Sequence, residues 1–180
     1  TEETVAAFRR ELGLDQPAIV RYGQWIAAAL QGDLGTSFSG RNASGVDRSR
    51  EVIDLVAPRL QNTLFLASVA ALIAVPLALI LGITTALYRN SFFDRSVNMA
   101  TLTTISFPEF FVAYILILFL SSLYPIFPSL ANVDADTQFG ERLFRAALPA
   151  LTLTLVIVAH MMRMTRAAII NLLASPYIQM

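Results

Sequence analysis

The sequence predicts an all-α protein: a polytopic bundle of transmembrane helices preceded by a mainly helical external segment. Three observations predict it. Of 180 residues, 56% are hydrophobic and 14% charged, with a mean hydropathy of +0.61, more apolar than a domain that folds in water. Uncharged stretches long enough to cross a hydrocarbon core recur along the chain. Charge collects before residue 60 and in short connections.

The bulk numbers also exclude classes. Thirteen Lys plus Arg balance thirteen Asp plus Glu, so no basic field marks nucleic acid as a partner. The absence of cysteine removes disulfide frameworks, thiolate zinc clusters and cysteine nucleophiles. The chain opens at Thr1 without a methionine or a basic-then-apolar leader and stops at Met180 without closing features. Both ends are therefore expected to be cut from a longer protein.

Residues 1–59 read as the external segment. Glu2 and Glu3 followed by Val5, Phe8 and Leu12 describe a short amphipathic helix, and Gly13 stops it. After a turn over 14–17, Ile19, Tyr22, Ile26 and Leu30, with Trp25 alongside, form a second helix that ends at Gly32. Residues 32–37 read as a loop, 39–49 as a polar stretch, and 50–57 as one more short helix halted by Pro58.

Residues 60–180 read as the membrane part. The first span, 60–87, carries no charge, opens on Gln61, Asn62 and Thr63, and holds Pro76, a kink that serves packing or acts as a hinge. The second, 97–124, is broken near 106–109: Ser106 supplies a capping hydroxyl, Pro108 needs no donor, and Glu109 faces the positive end of the helix dipole. The main crossing helix then runs 108–124, closed by Pro125 and Pro128. A polar, acidic connection over 131–145 leads to a third span, 146–162, terminated by Arg163 and Arg166. The apolar run 167–173 suits a separate helix lying on the membrane surface. Arginines in the short connections put Arg89, Arg95, Arg163 and Arg166 in the cytoplasm, and Asp134, Asp136 and Glu141 outside with residues 1–59.

Several residues invite a function beside a structural role. Glu109 is the only acid between Ser96 and Val133; it either starts a helix against a neighbour's backbone or lines a substrate path. Asp94, Asn98, Thr101 and Thr104 share one helical face, as pathway lining or as hydrogen-bonding glue between helices. His160 is the only histidine and assembles no histidine–cysteine zinc site; with Arg163 and Arg166 it reads as an interfacial residue followed by cytoplasmic anchors. Asp15, Trp25 and Asp33 read as turn caps and filling for a small external core.

In order along the chain, Leu12-Gly13-Leu14-Asp15-Gln16-Pro17, Arg21-Tyr22, Trp25 and Gly32-Asp33-Leu34-Gly35-Thr36-Ser37 resemble the external segment of the dipeptide, oligopeptide and nickel permeases of ABC importers. Pro58 with Asn62-Thr63-Leu64, Ser106-Phe107-Pro108-Glu109-Phe110, Leu148-Pro149-Ala150-Leu151-Thr152, and Arg163, Thr165, Arg166, Ala167 with Tyr177 continue the resemblance in register. It implies a partial type I importer permease fold in a bacterial inner membrane, with the cytoplasmic coupling loop starting over 163–180. It implies a subunit that forms the path for peptides or similar small solutes and binds no cofactor, ATP being used by a partner. The implied partners are a homologous permease, two ATPase subunits, an external solute-binding protein and the lipid bilayer. Substrate-path candidates are then Asn98, Thr101, Thr104 and Glu109. Arg163, Arg166 and Tyr177 become candidates for ATPase coupling, and Asp15, Trp25 and Asp33 for binding-protein docking.

Other classes find less support in the residues. No G-x-x-x-x-G-K-[ST] phosphate loop occurs, so no ATPase site of its own is expected. An intramembrane protease would need paired membrane aspartates, an H-E-x-x-H helix, or a serine and histidine at membrane depth. An ion-gradient transporter using Glu109 would need more buried acids and paired repeats. Within the resembling family, a nickel complex is the alternative cargo.

Overall fold

The computed structural model describes residues 2–11, 13–37, 50–134 and 136–175. It is all-α apart from one pair of two-residue strands, as the composition predicts. The chain divides into two units, Thr1–Gln61 and Asn62–Met180.

In the first unit, α1 (Glu2–Glu11) ends where the chain turns through Gly13 at φ 61°, and α2 (Ala18–Leu30) ends on Gly32 at φ 89°. Both glycines occupy the left-handed region that a Cβ disfavours, so both stops fall where the sequence puts them. The loop over 32–37 is more ordered than expected. Asp33 accepts from the Gly35 amide at 2.8 Å, and β1 (Thr36–Ser37) pairs antiparallel with β2 (Arg50–Glu51), Thr36 opposite Glu51. The polar stretch 39–49 lies outside the described residues.

Pro58 does not halt a helix. A single helix, α3, runs Val52–Leu87 through both Pro58 and Pro76. A proline ring crowds the carbonyls one turn back and supplies no amide donor; beside Pro58, the Arg59 guanidinium donates to the Leu55 carbonyl at 2.7 Å. In the second unit, α3 buries a ridge of small residues, Ala70, Ala74, Ala78, Gly82 and Ala86, spaced by four. Such a ridge lets a neighbouring backbone come close. The neighbour is α7 (Ala147–Leu173): Val158 and Met162 pack with Ala74 and Ala78.

α4 (Phe92–Ser106) begins at Ser91, whose hydroxyl accepts from the Asp94 amide at 3.1 Å. Phe107 and Pro108 are extended, the conformation that a proline favours for itself and for the residue before it. The chain therefore bends by 103° into α5 (Glu109–Ile117) and a π-helical turn, Leu118–Leu123. The expected break is present, but its cap is not: the Ser106 hydroxyl donates back to the Leu102 carbonyl at 2.8 Å, and α5 starts from Pro108 without a side-chain cap.

Two more expectations are corrected here. The connection before the last span contains a short helix, α6 (Phe139–Arg145). Arg163 and Arg166 do not end α7, and 167–173 is no separate helix, since α7 continues unbroken to Leu173. Arginine ends a hydrophobic run but favours a helix, so charge marked a change of hydropathy and not of backbone. Among the described residues α3 and α7 are each long and apolar enough to cross a membrane, and the bent pair from Phe92 to Leu123 would make a third span.

Candidate functional site

Two polar clusters stand at opposite ends of the second unit. At one end, α6 presents Arg142 to α3. Its guanidinium donates to Asn62 Oδ1 at 2.7 Å and lies over the Phe65 ring, 4.4 Å from the centroid. The Asn62 amide donates in turn to the Val133 carbonyl at 3.4 Å, and Phe139 meets Phe65 edge-on at 6.0 Å. Arg145 pairs with Glu141 and donates to the Asn132 carbonyl. The bonds at Asn62 tie Val133 and Arg142 to α3, and those of Arg145 brace the connection against itself.

At the other end sits Asp94, with only 3% of its surface exposed. Arg166 of α7 grips it with two parallel bonds, Nε to Oδ1 at 2.7 Å and Nη2 to Oδ2 at 2.8 Å. The carboxylate also accepts from Asn98 Nδ2 at 2.6 Å and from the Asn90 amide at 3.0 Å. Asn90 itself takes φ 65° to turn the chain between α3 and α4. Four donors from the turn, from α4 and from α7 thus satisfy one buried charge, which is the condition under which such a charge is tolerated. One residue before Arg166, Thr165 meets α3 where only glycine fits. A Cβ on Gly82 would stand 2.6 Å from Thr165 Cβ and 3.0 Å from the Met162 carbonyl.

The remaining candidates separate. Thr101 is buried and donates to the Asn98 carbonyl at 3.0 Å, and Thr104 donates to Ala100 at 3.0 Å, so both hydroxyls bond within α4. Glu109 is exposed at the start of α5, on an apolar groove shared with Leu66, Phe110, Ala113, Pro149 and Thr152. His160 and Arg163 are exposed on α7. Asp15 is exposed in the turn after α1, Asp33 caps its own turn, and Trp25 is 53% exposed, stacked on Tyr22 instead of filling a core. Tyr177 lies outside the described residues. The ion pair of Asp94 with Arg166 was not legible as a pair, although Ser91 three residues before Asp94 is a helix-start signature. Nor did the sequence single out Gly82 or Arg142.

Residues 74–180, the part that holds α4, α5, α7 and the Asp94 cluster, match the family model of the binding-protein-dependent transport system inner membrane component. The chain belongs to that family. It is a family of transport permeases of the inner membrane. Among this permease's relatives, proteins of Brucella abortus and Brucella suis named for a peptide transport system permease are each 35% identical over 178 residues, 98% of this chain and 54% of theirs. The glutathione transport system permease of Salmonella paratyphi A is 32% identical over 177 residues, 98% of this chain and 53% of its own. The chain spans about half the length of the curated relatives it matches.

Proposed function

We propose that this permease chain forms part of the translocation path of an ATP-binding-cassette importer for short peptides or similar small solutes. The observation that carries the reading is the family match over residues 74–180, which hold α4, α5, α7 and the Asp94 cluster. The spacing of the two polar clusters supports the membrane placement. Asn62 and Gly82 are twenty residues apart on α3, which at ~1.5 Å per residue separates them by roughly 30 Å, about the thickness of a hydrocarbon core. Peptide cargo is supported by the names of the relatives.

In this reading the chain is multi-pass. Residues 1–59 are external, α3, the bent α4–α5 pair and α7 cross the membrane, and the α3–α4 turn and the end of α7 face the cytoplasm. Without a phosphate loop in its sequence the permease hydrolyses nothing itself. It works with a second permease, two ATPase subunits and an external solute-binding protein. Glu109, accessible beside its apolar groove just after the bend, is the strongest path candidate, with Thr104 on the other side of the bend. Asn98 and Thr101 serve the packing of α4. Arg163 and Arg166 serve coupling to the ATPase, a role the resemblance extends to Tyr177, outside the described residues, and Asp15, Trp25 and Asp33 serve docking of the binding protein.

The test is reconstitution of the full-length permease in vesicles with its ATPase, its permease partner and its binding protein. Uptake of a labelled tripeptide should require ATP and binding protein together. Uptake driven by a proton or sodium gradient without ATP overturns the reading.

A further inference from the structure

The Asp94 cluster lies where α7 stops being held. Met162 is the last fully buried residue of α7; Thr165 touches α3 at Gly82, Arg166 grips Asp94, and none of residues 167–173 is buried. The last two turns of α7 therefore project from a collar with α3 on one side and α4 on the other. A helix transmits rotation and tilt as a rigid rod, so whatever moves its projecting end acts first on the contacts of that collar and then on the buried stretch of α7 above it. The two sides of the collar differ in kind. Gly82 against Thr165 is a close steric contact without a directional bond, whereas the Arg166 fork on Asp94 fixes both distance and orientation.

We infer that the Asp94–Arg166 pair is the positioning element that joins movement of the projecting end of α7 to α4 and the α3–α4 turn, so that ATPase closure is converted into opening of the path. Asp94 and Arg166 are positioning residues and touch no solute. The chemistry suits the task. Asp94 is bonded at once to the Asn90 amide of the turn, to Asn98 one turn along α4 and to Arg166, so a displacement of α7 reaches both the turn and α4 through one carboxylate. A lysine in place of Arg166 would keep the charge and lose the fork. An asparagine in place of Asp94 would keep the shape and lose one acceptor together with the charge.

This inference rests on the importer reading, and its test separates the two. In the assembled full-length transporter, tripeptide molecules imported per ATP hydrolysed are measured for wild type, Asp94→Asn and Arg166→Lys. Both variants should keep ATP hydrolysis and lose at least about fivefold in that ratio, the lower end of typical coupling between sites. Because this chain has no cysteine, the double variant Asp94→Cys/Arg166→Cys, in a full-length background freed of other cysteines, can be bridged by a short bifunctional thiol reagent. Bridging should restore most of the ratio. An unchanged ratio in both variants, or transport and hydrolysis falling in proportion, makes the pair merely structural and overturns the inference. So does failure of all the variants to assemble. A wild-type complex that imports nothing on ATP sinks the importer reading instead.

Discussion

Gly82 and Asp94 show how single residues set the geometry of the end of the second unit where α7 meets the α3–α4 turn. At Gly82 the backbone conformation is ordinary helix, and the requirement is space: the nearest atoms are Thr165 Cβ and a backbone carbonyl, neither of which can swing away. Gly82→Ala should therefore lower stability by about 1–3 kcal/mol, the usual cost of overpacking a tight contact, although alanine is the better helix former. Thermal unfolding in detergent checks it; an unchanged or raised midpoint would mean that α3 and α7 are not in contact there. The two arginines of α7 should behave differently. Arg166→Ala strands the buried Asp94 charge and should cost about 3–5 kcal/mol, whereas Arg163→Ala, at an exposed position, should stay within roughly 0.5 kcal/mol. Equal losses would contradict the assignment of the fork to Arg166. Both residues were visible as charges near the end of an apolar run. Their difference was not, because the partner of Arg166 lies 72 positions away.

Helix boundaries were legible where backbone chemistry set them and illegible where charge was taken as a proxy. Gly13 and Gly32 end their helices with left-handed backbone, and the second span breaks at Phe107 and Pro108, where the proline disfavours helix for the residue before it. Pro58 was misleading because, at the seventh position of a helix anchored by a long apolar continuation, a missing amide bond costs less than the continuation stabilises. Arg163 and Arg166 misled differently, since a change of hydropathy leaves the helix intact. Ser106 was read as a cap and bonds backwards, whereas Ser91, unremarked in the sequence, caps α4. Ser91→Ala should accordingly cost about 1 kcal/mol, with Ser91→Asp retaining the cap; Ser106→Ala should cost less than half as much. Comparing unfolding midpoints of the three variants tests this. The π-helical turn Leu118–Leu123 had no sequence signal that we identified.

For the whole molecule, the proposed topology makes a prediction that is clean in a full-length background freed of cysteines outside this chain, which has none itself. Single cysteines at Arg89, in the α3–α4 turn, and at Ser129, beyond the π-helical turn, are both at exposed positions. In intact cells with a permeabilised outer membrane, a membrane-impermeant maleimide should label Ser129→Cys and spare Arg89→Cys until the inner membrane is opened. Labelling of both from the same side would refute the crossing of the bent α4–α5 pair. The all-α class, the apolar runs and the break at Pro108 were determined by the sequence alone, because composition, hydropathy and proline geometry are local properties. Which polar residues meet was decided only by tertiary structure. The fork of Arg166 on Asp94, the seat of Arg142 on Asn62 and Phe65, and the space that reserves position 82 for glycine each join residues far apart in the chain. A carboxylate in a polar turn looks the same in sequence whether it faces water or an arginine, and only the packing of α7 between α3 and α4 distinguishes the two.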